Sequence, residues 1–507
     1  MYPVTRRQVM AGVAGGALAL QYAGAGAQDA RPSGELLTYA GPDSGVPNPF
    51  QVSPAGPGGP ILVSLIYDTL TWKDEAGIIP WLASEWSVSG DGLTYTFQLV
   101  SGATWHDGAP LTAEDVAFSY TYYASHPYVW MRSDVVASAT AAGSTVTIAL
   151  QRPYAPFIED ISGIVPIIPK HVWESIDDPL VYTGSDRTMG SGPYVLAEYN
   201  ETEGAYRLTA NGGYWHGTPT IAEFRQITVP AEALIQAAVQ GEVDLASSPD
   251  ASVRDLLAND DRLAIHESAP LSIVRLAVNT TQAPLDRVEV RQAIAFALDR
   301  ARIAEAVTRG PAIVGSAGVV PPETPWFNPN LTQYGYDPDR ARELLAGERL
   351  TIDLVADARA REPELMAPML EAVGITLNVQ RVESATRIQL LRDGDFQLGF
   401  LTHIGVGGDP DYLRRWYNGE ETNAYAQGSL FSDEEYTRLG EAQAASLDAT
   451  ERKELVFRMQ EILAEQLPTI VLYHRRFYWI YDPGRFTPIA TWGGLMNGIP
   501  FPLNKLA

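Results

Sequence analysis

Cysteine is missing from all 507 residues, so the fold has neither disulfides nor thiolate metal ligands. Lysine is nearly missing too. Only Lys73, Lys170, Lys453 and Lys505 occur, and arginine supplies the rest of the fixed positive charge, a bias that runs the length of the chain. None of the four follows a glycine, which excludes the G-x-x-x-x-G-K loop that cradles nucleotide phosphates. A G-x-S-x-G elbow and an H-E-x-x-H metal motif are absent as well. Gly405-Val406-Gly407 continues into Gly408-Asp409-Pro410, so it is not the dinucleotide fingerprint G-x-G-x-x-G. The histidines at 106, 126, 171, 216, 266, 403 and 474 show no i, i+4 ligand spacing. The formal net charge of −25 lacks the basic footprint of a nucleic-acid binder and argues against docking on anionic lipid.

Long apolar runs are scarce. Val9 to Leu20 is apolar but shorter than the roughly 20 residues that span a bilayer. Arg6-Arg7 precedes it and the small-x-small triplet Ala25-Gly26-Ala27 follows, so residues 1–27 read as an export signal cleaved near Ala27. Thr5-Arg6-Arg7-Gln8-Val9-Met10 has the form of a twin-arginine signal. Its removal takes two positive charges and leaves an exported, periplasmic chain at −27. With 46% hydrophobic residues the remainder can bury large cores. Its length suggests about three domains.

Periodicity places the elements. ELLTYA (35–40) reads as a strand, followed by a Gly/Pro-rich loop; ILVSLIYDTLTW (61–72) reads as a helix running into a strand. GLTYTFQLV (92–100) and STVTIALQ (144–151) alternate as strands, and GPYVLAEYN with AYRLTAN suggests a hairpin. EALIQAAVQGEVDLASS implies a helix, a glycine stop and a buried strand. IVRLAVNT (273–280) is a strand, and VEVRQAIAFALDRARIAEAVTRG (288–310) reads as one long helix. RLTIDLVA, ELMAPMLEAVG, ITLNVQRV, TRIQLLRDG and FQLGFLTH then alternate strand and helix, which points to parallel sheets with covered faces.

GATWHDGAPLTAEDVAFSY (102–120) is the one stretch that looks reactive. His106-Asp107 has the residue types of a base and its orienter. Neighbours at a strand end point to opposite sides, however, so scaffold is the better reading. Asp107-Gly108 makes a turn, and Thr112 with Asp115 makes a capping box for the helix that follows.

IIPWLASEWSVSGDGLTYTFQL, GATWHDGAPLTAEDVAFSY, SGPYVLAEY, NGGYWHGTP, GEVDLASS, LAVNTTQAPLDRVEVRQAIAFALDRARIAEAVTRG, GYDPDRARELLA and LGFLTHIGVGGDPDYL follow one another along the chain. In these segments it resembles the periplasmic solute-binding proteins of ABC importers, in the oligopeptide-, dipeptide- and nickel-binding group (family 5). The resemblance implies an α/β, two-lobed periplasmic-binding-protein fold with an extra α+β subdomain inserted in the first lobe. The implied division is signal 1–27, lobe I 28–60, accessory subdomain 61–165, lobe I again 166–275, lobe II 276–480, and a C-terminal part of lobe I, 481–507.

The resemblance also implies a site. Peptide-binding members carry an aspartate a few residues before an Asp-Pro pair, and it receives the peptide's α-ammonium. Here Asp409-Pro410-Asp411 fits, but the aligned position is Val406, which cannot pair with an ammonium. Asp409 and Asp411 are ligand candidates whose bland reading is loop capping. Tyr39, the loop aromatics Trp326 and Phe327, Arg359 and Arg361 in ADARAREPE, His403, and Trp416 with Tyr417 complete the candidate set. Packing or a solvated surface is the alternative for each. The resulting expectation is a monomeric receptor without enzymatic activity, metal or cofactor. It captures a peptide or peptide-like solute and passes it to an inner-membrane ABC permease. The rivals are an exported α/β hydrolase, a signalling or chaperone module on the same fold, and a receptor for an opine, oligosaccharide or metal chelate.

Overall fold

The computed structural model describes residues 34–53, 58–74, 77–128, 135–230, 233–268, 270, 272–310, 312–315, 318–404, 408–417, 430–485, 488–490 and 500–502. The expected export signal and Val406 lie outside the described residues.

Three sheets carry the architecture. The first has seven strands in the order Ala264–Glu267, Tyr478–Tyr481, Leu245–Ser248, Gly34–Ala40, Ile221–Ile227, Ala205–Ala210, Tyr194–Asn200. Gly34–Ala40 is parallel to both neighbours, and the remaining pairs are antiparallel. The second has six: Ile313–Val314, Thr469–Arg475, Ser272–Val278, Leu398–Ile404, Leu350–Asp357, Ile375–Val382. Here the sequence expectation of parallel sheets holds for part of the sheet only. Leu350–Asp357 is parallel to both neighbours because the helices Glu362–Glu371 and Ser384–Asp393 return the chain as crossovers. Ser272–Val278 is antiparallel on both sides.

The third sheet, Ala83–Val88, Thr94–Leu99, Thr145–Leu150, Val136–Ala142, is antiparallel throughout. Tyr95, Phe97, Leu99, Val146, Ile148 and Leu150 are its buried alternate positions. The helix Ala113–Ser125 buries Val116, Tyr120 and Tyr123 on the same core, Val116 alone contributing about 1.5–3 kcal/mol. The helix starts where the sequence indicates. Thr112 caps it, with the Thr112 N–H donating to Asp115 Oδ2 at 2.8 Å and the Asp115 N–H donating to Thr112 Oγ1 at 3.4 Å. The strand before it shrinks to a single bridge between Thr104 and Pro110. One hydrophobic core runs from this subdomain into the first sheet, from Phe97 and Ile148 through Tyr67 to Tyr39 and Trp479.

The expected boundaries cut through elements. Ser272–Val278 spans 275/276 yet pairs along its whole length in the second sheet, and Tyr478–Tyr481 spans 480/481 yet pairs in the first. The helix Gly58–Ile66 straddles 60/61 and is tied to the first sheet's edge, with the Gly192 N–H donating to the Ile66 carbonyl at 2.8 Å. The expected helix over 288–310 is two helices, Val288–Ala297 and Arg300–Thr308. Leu298 is extended, and the Asp299 carboxylate accepts the Arg302 N–H at 3.0 Å, so a local N-cap overrides continuous helical periodicity.

The chain crosses between the two large sheets twice, at 267–272 and 475–478, and the crossings lie side by side. Ser268 N–H donates to the Phe477 carbonyl at 2.9 Å, and Phe477 N–H donates to Ser268 Oγ at 2.8 Å.

Candidate functional site

The second sheet has two faces. Val274, Leu276 and Val278 bury into a core shared with the helices that follow them. Ile273 and Val471 face the other way, onto Tyr412, Leu413, Tyr417, Tyr436 and Met459. That second face carries the helix Tyr412–Tyr417, which begins directly after Asp409-Pro410-Asp411.

Both aspartates are buried and committed to the protein itself. Arg452 grips Asp409 with two parallel bonds of 2.6 Å, from Nη1 to Oδ2 and from Nη2 to Oδ1. Asp411 accepts from Arg414 Nε and Nη2 at 2.8 and 2.9 Å, from Gln443 Nε2 at 2.7 Å and from the Tyr154 hydroxyl at 2.9 Å. Burial would raise the Asp411 pKa; the Arg414 bonds and charge, the Arg415 charge and the Tyr154 hydroxyl outweigh it and hold the carboxyl at about 2. Charge-assisted, bidentate bonds of this kind are the strong ones, and they fill the carboxylates' lone pairs. The structure therefore favours the architectural reading of Asp409 and Asp411 over direct ligand contact.

The partners of Asp411 reach beyond the second lobe. Tyr154 belongs to the segment leading into the π-helical turn Phe157–Ser162 of the subdomain, where Asp160 lies 3.6 Å from Arg415. Arg152 pairs with Glu441 at 2.7 Å, and Ala155 N–H donates to the Ala444 carbonyl at 2.7 Å. Lys73 is buried beside Glu159 and Asp160. Burial pushes its ammonium pKa down against the pull of both carboxylates, and it pushes Glu159 and Asp160 up. Lys73, Arg414, Arg415 and Arg452 thus face Glu159, Asp160, Asp409 and Asp411, four basic and four acidic groups gathered where subdomain and second lobe meet.

The other candidates divide. Trp326 joins the network, its ring 5.2 Å from the Arg452 guanidinium; Phe327 is half-buried beside it in the same apolar cluster. His403 is buried, with its ring 4.4 Å from Trp416 and Nε2 3.2 Å from Arg275 Nη2. Tyr417 is buried against Tyr436, and Trp416 is half-exposed. Tyr39 sits in the first-sheet core, stacked on Trp479 at 6.3 Å, away from this cluster. Arg359 and Arg361 are exposed at the end of Leu350–Asp357, and no ion pair engages them among the described residues. Sequence reading missed Tyr154, Lys73, Glu159, Asp160, Arg452 and Arg275. Arg275 alone left a signal, a cation in the middle of an otherwise apolar strand.

His106 and Asp107 do not pair. His106 Nδ1 accepts from the Gly190 N–H at 3.3 Å and Nε2 donates to the Gly192 carbonyl at 3.0 Å, whereas Asp107 meets His171 at 3.0 Å on the surface. Burial lowers the His106 pKa against the opposing Gly192 bond and nearby carboxylates, so the ring is a neutral strut between segments. Among the described residues no cluster of three or more metal-ligating side chains occurs, and no helix is long and apolar enough to cross a membrane.

Two α/β lobes joined by two adjacent crossings, an antiparallel subdomain fused to the first, and a charged seam between that subdomain and the second lobe are the plan of a solute receptor. The family model for bacterial extracellular solute-binding proteins, family 5, matches residues 77–425, and the chain belongs to that family. It is 27% identical to the dipeptide-binding protein of Escherichia coli over 449 residues, 80% of this chain and 82% of that one. It is 28% identical to heme-binding protein A of Haemophilus influenzae over 442 residues, 79% of this chain and 80% of that one. Its fold matches that of the ABC transporter-associated periplasmic binding protein DppA from Helicobacter pylori in complex with the peptide STSA. That match has a TM-score of 0.80 and 22% identity and covers 93% of this chain and 98% of the other. The chain is a binding protein, not a hydrolase.

Proposed function

We propose that the protein is the exported, monomeric receptor of an ABC importer, enclosing a short peptide or peptide-like solute between its lobes for delivery to a membrane permease. The observation that carries this reading is the pairing of hinge and seam. Two adjacent crossings join the lobes on one side, and the Tyr154–Asp411 and Asp160–Arg415 contacts join them on another. A solute bound between them stabilises the joined arrangement by as much as it prefers it. Relatives named for dipeptides and di/tripeptides support the peptide class, while the heme-binding relative makes a larger cargo the competing outcome.

Val406 refines the reading. Valine stands at the aligned acidic position, and Asp409 and Asp411 are both occupied by arginines, so none of these three offers a buried α-ammonium a free carboxylate. N-blocked peptides or non-peptide polar solutes then bind at least as well as free-amino peptides. Calorimetric titration of matched tri- and tetrapeptides with free and acetylated amino ends tests this. A preference of tenfold or more for the free amine, about 1.4 kcal/mol, refutes it. Export through the twin-arginine route, with cleavage near Ala27, is tested by Arg6→Lys/Arg7→Lys. The double variant accumulates unprocessed inside the cell, and unchanged export leaves only a general secretory signal.

A further inference from the structure

The buried charges at the seam have counter-charges; Arg275, on the same lobe, has none among the described residues, and unlike buried Arg300 it donates to no backbone carbonyl there. Arg275 is fully buried, and its strand neighbours Val274 and Leu276 face the opposite core. A β-bulge marks the spot: Val274 pairs with Tyr473 and Arg275 with Val471, leaving Leu472 unpaired. Among the described residues the guanidinium makes two polar contacts, Nη1 to Thr469 Oγ1 at 3.2 Å and Nη2 to His403 Nε2 at 3.2 Å, and its Nε–H finds no acceptor. Neither contact is an anion. Burial, reinforced by the charges of Arg275 and Arg387, depresses the His403 pKa well below its ordinary value, so that ring is neutral. Among the described residues no carboxylate acts on Arg275.

Burying a guanidinium without a counter-ion is unfavourable, and an anionic ligand group supplies one. Arginine with open donors in a fixed fork is what planar recognition of a carboxylate requires. Two hydroxyls lie on the same face of the lobe. Among the described residues the Tyr412 hydroxyl is buried without a hydrogen-bond partner, and the Tyr417 hydroxyl lies beside Thr469 and acts on Arg275. Over the guanidinium, 5.2 Å away, lies the half-exposed ring of Trp416.

We propose that Arg275 is the anion anchor of the bound solute. A carboxylate of the ligand accepts from its Nε–H and a free Nη–H, with Trp416 swinging aside to admit it. This rests on the receptor reading and deepens it: the solute is anchored by an acidic end rather than by an amino end.

The test compares wild type, Arg275→Met and Arg275→Gln by calorimetry and thermal unfolding. The probes are acetyl-Ala-Ala-Ala, its C-terminal amide, propionate and chloride. Wild type binds the free acid at least tenfold more tightly than the amide, and both variants lose that preference. Without ligand, Arg275→Met unfolds at the same temperature as wild type or higher, because a buried charge without a partner is gone; a purely structural arginine gives the reverse. If no peptide binds but propionate raises the unfolding temperature only when Arg275 is present, the anchor stands and the peptide reading falls. The proposal is overturned if acid and amide bind wild type equally, if the preference survives in Arg275→Met, if chloride matches propionate, or if neither peptide nor propionate produces any response.

Discussion

Asp411→Asn removes one charge from the seam and almost no volume. Asp411 is fully buried and accepts four hydrogen bonds, three from cationic or amide nitrogens of its own lobe and one from Tyr154 across the seam. Its carboxyl sits at about 2 against an ordinary 3.8. At about 1.4 kcal/mol per pH unit, the charged form therefore contributes about 2.5 kcal/mol at neutral pH. Arg414 then keeps only its pairing with the half-exposed Glu441 at 3.2 Å, and the loss of its buried partner sets the upper figure, about 3–5 kcal/mol. An unfolding entropy of about 2.1 cal/mol/K per residue, over a cooperative unit of about 450 residues, converts this range into a Tm lowered by about 3–5 °C at pH 7. Because the folded pKa is depressed, the contribution is complete above about pH 4 and disappears as pH falls toward 2, so wild type and variant converge in that window. Thermal unfolding followed by circular dichroism at pH 7 and near pH 2.5 reads both effects. Adding Arg414→Met to Asp411→Asn removes the buried cation that lost its main partner, leaves Glu441 to solvent and Arg152, and recovers part of the loss. A Tm change under about 1 °C at pH 7, or a gap that stays constant down to pH 2.5, refutes the reasoning.

Two further outcomes test the scaffold around the seam. His106→Ala loses the bonds to Gly190 and Gly192 and lowers stability by about 1–3 kcal/mol with solute affinity unchanged; a hydrolytic activity that vanished with His106 would contradict the receptor assignment. Asp115→Ala removes the capping box and also the acceptor of the Lys170 N–H at 3.0 Å, so the loss in chemical unfolding lies near the top of the 0.5–2 kcal/mol range typical of caps, and no measurable loss would show the cap to be dispensable (~0.5–2 kcal/mol).

Local signals were legible in the sequence and distant pairings were not. Thr112 and Asp115 sit three residues apart, and the alternation in Thr94–Leu99 or the glycine after Leu234–Gln240 is complete within a few residues. Such features need no tertiary partner to be recognised. The break at Asp299 was missed because an apolar stripe continues through it on both sides. The fate of Asp409 and Asp411 was hidden for a different reason. Arg452 lies 43 residues from Asp409 and Tyr154 lies 257 residues from Asp411, and nothing local distinguishes a loop aspartate that caps a turn from one that grips an arginine across the fold. The mixed second sheet was hidden likewise, since strand direction is set by where the chain returns from.

The central claim is that this chain binds a small solute between its lobes, and its most direct test is thermal unfolding against a panel of free and N-acetylated short peptides, heme and a nickel chelate. One class raises the unfolding temperature with a dependence that grows as the logarithm of its concentration, reaching about 2.7 kcal/mol of added stability at one hundred times the dissociation constant. The ligand is recovered chemically unchanged. A panel that produces no shift, or a peptide that is cleaved rather than returned, contradicts the account.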